Sequence, residues 1–280
     1  MGYAKPPTPS PHSSDSHKND WFVAMVLGIC HAMLVRIVYL YVPDPYMDEI
    51  FHIRQTRRYC SGNWSWDPMI TTPPALYILG MPFCNFERYT NSVLIVFAFV
   101  GFCRFRRMFT RQAVYSSALA TALLAVLLHS SLLFYTDLLS VCAVVWGFSL
   151  DSPFLSALTF GIAVLTRQTN IIWAGFSAAI RLFRVRILFS LCSFAVVVPA
   201  HLIEPRYFIV PYVLWRLSAK STTNKIFIIM EIISQLFVFA SVFLLFLLKP
   251  FEWGNEPGVK QRFMCGDSRQ FSSDTLVKNM

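Results

Sequence analysis

Two apolar runs, residues 21–42 and 226–248, limit what this chain can fold into more than any other feature. Each is as long as the roughly 20 residues that a helix needs to cross a bilayer. In lipid a helix satisfies its own backbone hydrogen bonds, so a helix is what such runs form. Composition extends the argument to the whole chain: 55% of residues are hydrophobic and 14% are charged. A soluble domain carries about 25% charged residues, so too little polar surface is present to cover a water-soluble fold. Apolar runs without a heptad or glycine period also exclude disorder, coiled coil and collagen. The expectation is an all-α, polytopic membrane protein.

Further spans are expected at 91–103, 113–134, 138–150, 153–166, 171–183, 187–203 and 207–217, several of them shorter than a standard span. Three divisions follow: a polar cytoplasmic N-terminus (1–20), a multi-span domain (21–248) and a polar tail (249–280). The first run is too long for the hydrophobic region of a cleavable signal and lacks a small-residue cleavage site. No internal repeat is evident. The net charge of +9 does not mark a nucleic-acid binder, because the basic residues fall in clusters between apolar runs rather than on one face. Such clusters mark cytoplasmic loops. Alternating from a cytoplasmic start puts 104–111, 181–186 and 216–225 in the cytoplasm. Residues 43–90, 135–137, 167–170 and 204–206 then fall on the far side. Cys60 and Cys84 flank one polar stretch of that 43–90 loop and can pair if it faces an oxidising lumen. Asn63-Trp64-Ser65 is an N-glycosylation sequon that probes the same topology.

The polar residues at membrane depth or at its edge are the candidates for chemistry. On the far side they are Asp48, Glu49, His52, Asp137, Arg167, Gln168, Glu204 and Arg206. Carboxylates beside arginines suit a reaction in which a hydroxyl loses its proton while a phosphate leaves. The carboxylate acts as general base, and the guanidinium stabilises phosphate charge. In Pro45-Tyr46-Met47-Asp48-Glu49-Ile50-Phe51-His52, a helix would point Asp48 and Glu49 about 100° apart. Asp48 and His52, four apart, would share a face. The competing reading is a helix start with acids placed for the dipole. The prolines near 73–74 read as a rigid turn into an apolar helix. Trp64, Trp66 and Tyr77 read as interface anchors before sugar platforms. His31 and His129, in apolar runs, read as packed. No metal-ligand spacing is convincing, and the lack of a glycine-rich phosphate loop argues against a nucleotide-driven pump.

The stretch PYMDEIFHIRQTRRYCSGNWSWDPMITTPPALY (45–77) resembles the dolichyl-phosphate-glucose-dependent α-1,2-glucosyltransferases of the endoplasmic reticulum. FYTDLLS (134–140), LTRQTNIIW (165–173) and EPRYFIVPYVLWRL (204–217) continue the resemblance in order, with a weaker match in QRFM (261–264). The resemblance implies a GT-C-like helical bundle in the endoplasmic-reticulum membrane, with a large first luminal loop and the site facing the lumen. It implies inverting transfer of glucose from the lipid phosphate onto the diglucosylated, dolichyl-diphosphate-linked oligosaccharide. The partners are then two lipid-linked substrates and membrane lipid, with no cofactor. It places the base on Asp48, with Glu49 as orienter or alternative base. Arg167 and Arg206 fall to the donor phosphate, and His52, Asp137 and Gln168 to the lining of the site. Arg54 stands where the family has proline, and Cys265 stands where tryptophan is expected. The segment that precedes EPRYF in family members is absent. A shortened member is therefore expected. The alternatives are an inactive membrane protein that binds or regulates a partner, and a transporter or channel.

Overall fold

The computed structural model describes residues 12–183, 205–219, 225–252 and 260–262. The span expected at 187–203, Glu204, and most of the chain after 252 lie outside the described residues. What is described is helical, apart from one antiparallel pair of two-residue strands, β1 (Phe251–Glu252) and β2 (Lys260–Gln261). Among the described residues two helices are long and apolar enough to cross a membrane, Asn19–Tyr41 within α1 (His12–Tyr41) and Ile226–Leu248 within the last described helix, or three if one bent pair counts as a single span.

The Asn19–Tyr41 part of α1 is apolar round most of its circumference, yet its burial is periodic. Ala24, Gly28, His31, Val35 and Val38 are buried at alternating steps of four and three, followed by Val42 just past its end. Phe22, Met25, Ile29, Met33 and Leu40 are exposed between them. This is the pattern of one packed seam on a helix whose other faces meet lipid. The seam lies antiparallel on α4 (Tyr89–Phe109). Gly28 is what lets the two approach, since a Cβ there would meet Val96 Cγ2 at 2.5 Å. α4 in turn packs on α7 (Asp137–Ser149), and α7 on α8 (Pro153–Val164). Gly147 makes room there for the Phe160 ring, 2.7 Å from where its Cβ would sit. Phe99, Phe102, Leu138, Val144 and Trp173 fill the core between these helices.

Several expected spans take a different form. Residues 113–134 break into α5 (Val114–Ala122) and α6 (Ala125–Ser131), bent by 58°. The amide freed at the break, Ala125 N–H, donates to Gln235 Oε1 (3.0 Å) on the last helix. That side chain removes the cost of an unpaired amide at depth. The expected span 91–103 belongs to a longer helix that continues through Arg104, Arg106 and Arg107. α7 and α8 have 13 and 12 residues. At ~1.5 Å per residue both fall short of a ~30 Å hydrocarbon core. α9 (Ile171–Phe183), α10 (Ile209–Ser218) and α11 (Lys225–Leu248) are the remaining helices among the described residues.

The polar stretch 43–90 is a folded cap. It holds α2 (Glu49–Cys60), α3 (Ala75–Gly80) and a single 3-10 turn (Met81–Phe83). Pro74 caps α3 from its N-terminal side, as the proline pair implied. Cys60 and Cys84 form a disulfide across the cap, with their Cα atoms 6.4 Å apart. Gln55 stitches the intervening loop to α2, donating to Ser65 O (2.9 Å) and accepting from Asp67 N–H (3.1 Å). Arg57 pairs with Glu87 at 2.7 Å, and Ala75 N–H reaches Leu165 O at 2.9 Å. The cap is thereby fixed over the end of the bundle where α1 finishes and α4 begins.

Candidate active site

The cap encloses a cavity of about 410 Å³ against the bundle. Five segments meet in its wall: Asp48, Phe51 and His52 from α2, residues 69–73 of the cap, Tyr135 and Thr136 before α7, residues 167–169 between α8 and α9, and Arg206 before α10. These segments are far apart in sequence, and each enters at a helix end, where side chains can turn inward.

Asp48 is the N-cap residue of α2. Met47, just before it, has φ of 49°, the left-handed region that non-glycine residues rarely adopt. The turn this makes brings the Asp48 carboxylate to the cavity with its side chain 45% exposed. Arg206 Nη1 lies 3.8 Å from Asp48 Oδ2, and its guanidinium sits over the Tyr135 ring, 5.5 Å from the centroid. Arg167 enters from the segment between α8 and α9. Its Nε donates to Thr136 Oγ1 (2.8 Å) and its Nη2 lies 2.9 Å from Asp137 Oδ1. Asp137 is buried behind Arg167 and does not line the cavity. Gln168, exposed at the rim, donates to the Thr71 carbonyl (3.2 Å).

His52 shares the cavity face with Asp48, one helical turn on, as their spacing predicts. Burial lowers its pKa from 6.5 to about 4, so the imidazole is neutral at physiological pH. Its Nδ1 bonds the Tyr77 hydroxyl at 3.0 Å, and that hydroxyl also meets Thr72 Oγ1. Burial raises Tyr77 to about 12 and pushes Tyr135 well above 10, so both phenols remain protonated. The wall therefore offers one partly exposed carboxylate, two guanidinium groups, and a set of neutral hydroxyl and imidazole groups. That donor set can take a proton from a hydroxyl, hold an oxyanion and hydrogen-bond a polyol.

Glu49 goes elsewhere. It is fully buried and does not line the cavity. Its Oε1 accepts from Arg88 Nε (2.7 Å) and Phe134 N–H (2.7 Å). Its Oε2 accepts from Arg88 Nη2 (2.7 Å) and Tyr46 N–H (3.0 Å). Arg88 also donates to the carbonyls of Val42 (2.6 Å) and Asp44 (3.1 Å). With its oxygens engaged in this way, Glu49 ties the end of α1, the Asp48 turn, α4 and the Tyr135 segment together. Neither His31 nor His129 reaches the cavity. His31 bridges Ser92 (2.9 Å) and Ser131 (2.8 Å), and His129 packs on Phe246. Sequence reasoning did not single out Arg88 or Thr72. Arg88 carried one usable signal: an arginine at the mouth of a span, on the side from which the topology excludes basic clusters, needs a partner.

The sequence pattern of the DIE2/ALG10 family matches this chain over residues 42–186 and 183–217, which is more than half of it. A Yarrowia lipolytica protein named Dol-P-Glc:Glc(2)Man(9)GlcNAc(2)-PP-Dol alpha-1,2-glucosyltransferase is 35% identical over 165 residues. That alignment covers 49% of this chain and 31% of the relative. Proteins of the same name from Arabidopsis thaliana (35% over 191 residues) and Candida glabrata (38% over 157 residues) also match. The Arabidopsis alignment covers 56% of this chain and 35% of the relative, and the Candida alignment covers 48% and 30%. The aligned part of the chain thus spans about a third of the length of these curated relatives. No solved structure matches.

Proposed function

The chain belongs to the DIE2/ALG10 family, and from that premise we propose that it transfers glucose from a dolichyl phosphate to a lipid-linked oligosaccharide. The reaction is inverting and forms an α-1,2 linkage on the diglucosylated dolichyl-diphosphate acceptor. The observation that carries this reading is the meeting of Asp48, Arg167 and Arg206 in one cavity. The shared name of the three relatives supplies the donor and acceptor.

The cavity's size, about 410 Å³, falls within the ~300–1,000 Å³ usual for small-ligand sites. The donor phosphate sits between the two guanidinium groups, and its prenyl chain stays in lipid. Arrival of the phosphate gives Arg206 a stronger partner than the carboxylate 3.8 Å away, and so frees Asp48. Asp48 then takes the proton of the acceptor hydroxyl as its oxygen attacks C1 of glucose. The C1–O bond to phosphate breaks on the opposite face, its electron pair leaves with the phosphate, and the configuration at C1 inverts. Arg167 and Arg206 stabilise the charge that develops on the phosphate, where fixed dipoles and cations act most strongly. Neutral His52, held by Tyr77, hydrogen-bonds a sugar hydroxyl rather than the anion. Glu49 fixes the turn that presents Asp48. The enzyme works as a multi-pass protein of the endoplasmic-reticulum membrane with the cap in the lumen. The cap disulfide suits an oxidising compartment, and Arg104, Arg106 and Arg107 cluster at the other end of α4.

Complementation of cells lacking the terminal lipid-linked glucosyltransferase tests the function, with the glycan read by mass. Restoration of the terminal glucose is expected. If the chain reaches the membrane folded and the glycan stays one glucose short, the proposal fails.

A further inference from the structure

Beyond β2 the chain returns to the cap at Arg262, and none of the catalytic groups proposed above explains this contact. The Tyr46 hydroxyl donates to the Arg262 carbonyl (2.5 Å) and accepts from the Arg262 N–H (2.9 Å). The Arg262 side chain spreads over two helix ends. Its Nη1 donates to the carbonyls of Phe246 and Leu247 in the last turn of α11, both at 2.8 Å. Its Nη2 donates to the carbonyl of Tyr41, the last residue of α1, at 3.1 Å. Terminal helix carbonyls lack intrahelical donors and carry the negative end of the macrodipole, so one guanidinium capping three of them at two helix ends makes a firm anchor.

Tyr46 transmits that anchor. It is buried, with its ring edge-on to Phe246 at 5.6 Å. Its backbone N–H is held by Glu49 and its carbonyl accepts from the Tyr135 hydroxyl (3.3 Å). Two residues further on stands Asp48, reached through the left-handed Met47. Backbone in that region is strained for a non-glycine residue and persists only where its surroundings impose it. Glu49 and Tyr135 hold the Tyr46 backbone, and Arg262 holds its side chain.

We propose that Arg262 is a positioning residue, which holds Tyr46 and thereby the Asp48 turn in the geometry that reaction requires. The segment after the last span thus belongs to the functional unit. The kinetic part of the inference rests on the proposed transfer reaction, and the structural part does not.

The test uses the full chain in nanodiscs and compares wild type with Tyr46→Phe, Arg262→Ala and Arg262→Lys. Amide hydrogen exchange over residues 46–52 should quicken at least tenfold in Tyr46→Phe and Arg262→Ala, with residues 55–60 unchanged. Lysine keeps the charge and loses the fork, so Arg262→Lys should fall between. For glucosyl transfer, kcat should drop at least tenfold in the same two variants with KM unchanged. Unaltered exchange over 46–52 overturns the proposal, whatever the turnover. Faster exchange with unaltered kcat overturns the positioning role. If wild type transfers no glucose, the exchange result still decides for or against the clasp, and only the proposed function falls. Tyr46→Phe removes one oxygen atom, so it remains informative if Arg262→Ala does not fold.

Discussion

The two ends of the α1–α4 pair use the same residue types to opposite effect. At the end where α1 begins, Asp20 grips Arg107 at 2.6 Å. There Arg104 caps the Ser149 carbonyl at 2.9 Å, and Arg106 caps that of Leu217 at 2.7 Å. Each charge finishes in a contact with a neighbouring element, and none of these side chains lines the cavity. At the cap end, Glu49 and Arg88 are likewise tied into the fold. Asp48, in contrast, faces the cavity with its side chain 45% exposed, 3.8 Å from Arg206 Nη1. The lesson is that a charge near the membrane edge identifies nothing by itself. What separates a tie from a site is whether the side chain ends in a buried contact or at the wall of a cavity.

The contrast is broken most severely at Glu49. Glu49→Ala leaves Arg88 as an uncompensated buried charge, which costs about 3–5 kcal/mol. Folded protein should fall sharply, as size-exclusion profiles in detergent will read. Asp20→Ala at the other end acts on a pair whose arginine is 20% exposed. A loss of about 1–3 kcal/mol in thermal unfolding is expected there, with the proposed glucosyl transfer per folded molecule unchanged. The smallest effect is a pH dependence at His52. With its folded pKa lowered to about 4, the unfolded chain takes up a proton that the folded protein refuses as pH falls from 6.5. Stability should decline across that window and recover above it. The decline should be shallower in His52→Asn, measured as melting temperature between pH 4.5 and 7.5.

Much of this arrangement was legible in the sequence, for reasons that differ by element. Residues 21–42 and 226–248 announce themselves because a lipid-facing helix needs no polar pattern, only length. Asp48 and His52 were placed on one face by helical geometry alone, and both line the cavity. Arg167, Gln168 and Arg206 were brought to the same end by counting spans, and the structure gathers them there. What was not legible depended on contacts distant in sequence. The break at 123–124 relies on Gln235, more than a hundred residues on, to satisfy the Ala125 amide. Asp48 and Glu49 are adjacent and chemically alike, and only the position of Arg88 decides which one is consumed as a tie. Hydropathy saw 43–90 as a polar loop. Its α2 buries Ile53 and Tyr59 beside Gln55 and Thr56 against protein, a mixed face that apolar counting does not detect.

Glucosyl transfer in proteoliposomes, with dolichyl phosphate glucose and the diglucosylated lipid-linked acceptor, tests most directly the division of labour between the two neighbouring acids. Asp48→Asn should fold like wild type, retain the donor and lose about 10²–10⁴-fold in rate, the usual worth of a general base. An Asp48→Asn protein that transfers glucose at the wild-type rate, beside a folded Glu49→Gln protein that does not, would contradict it.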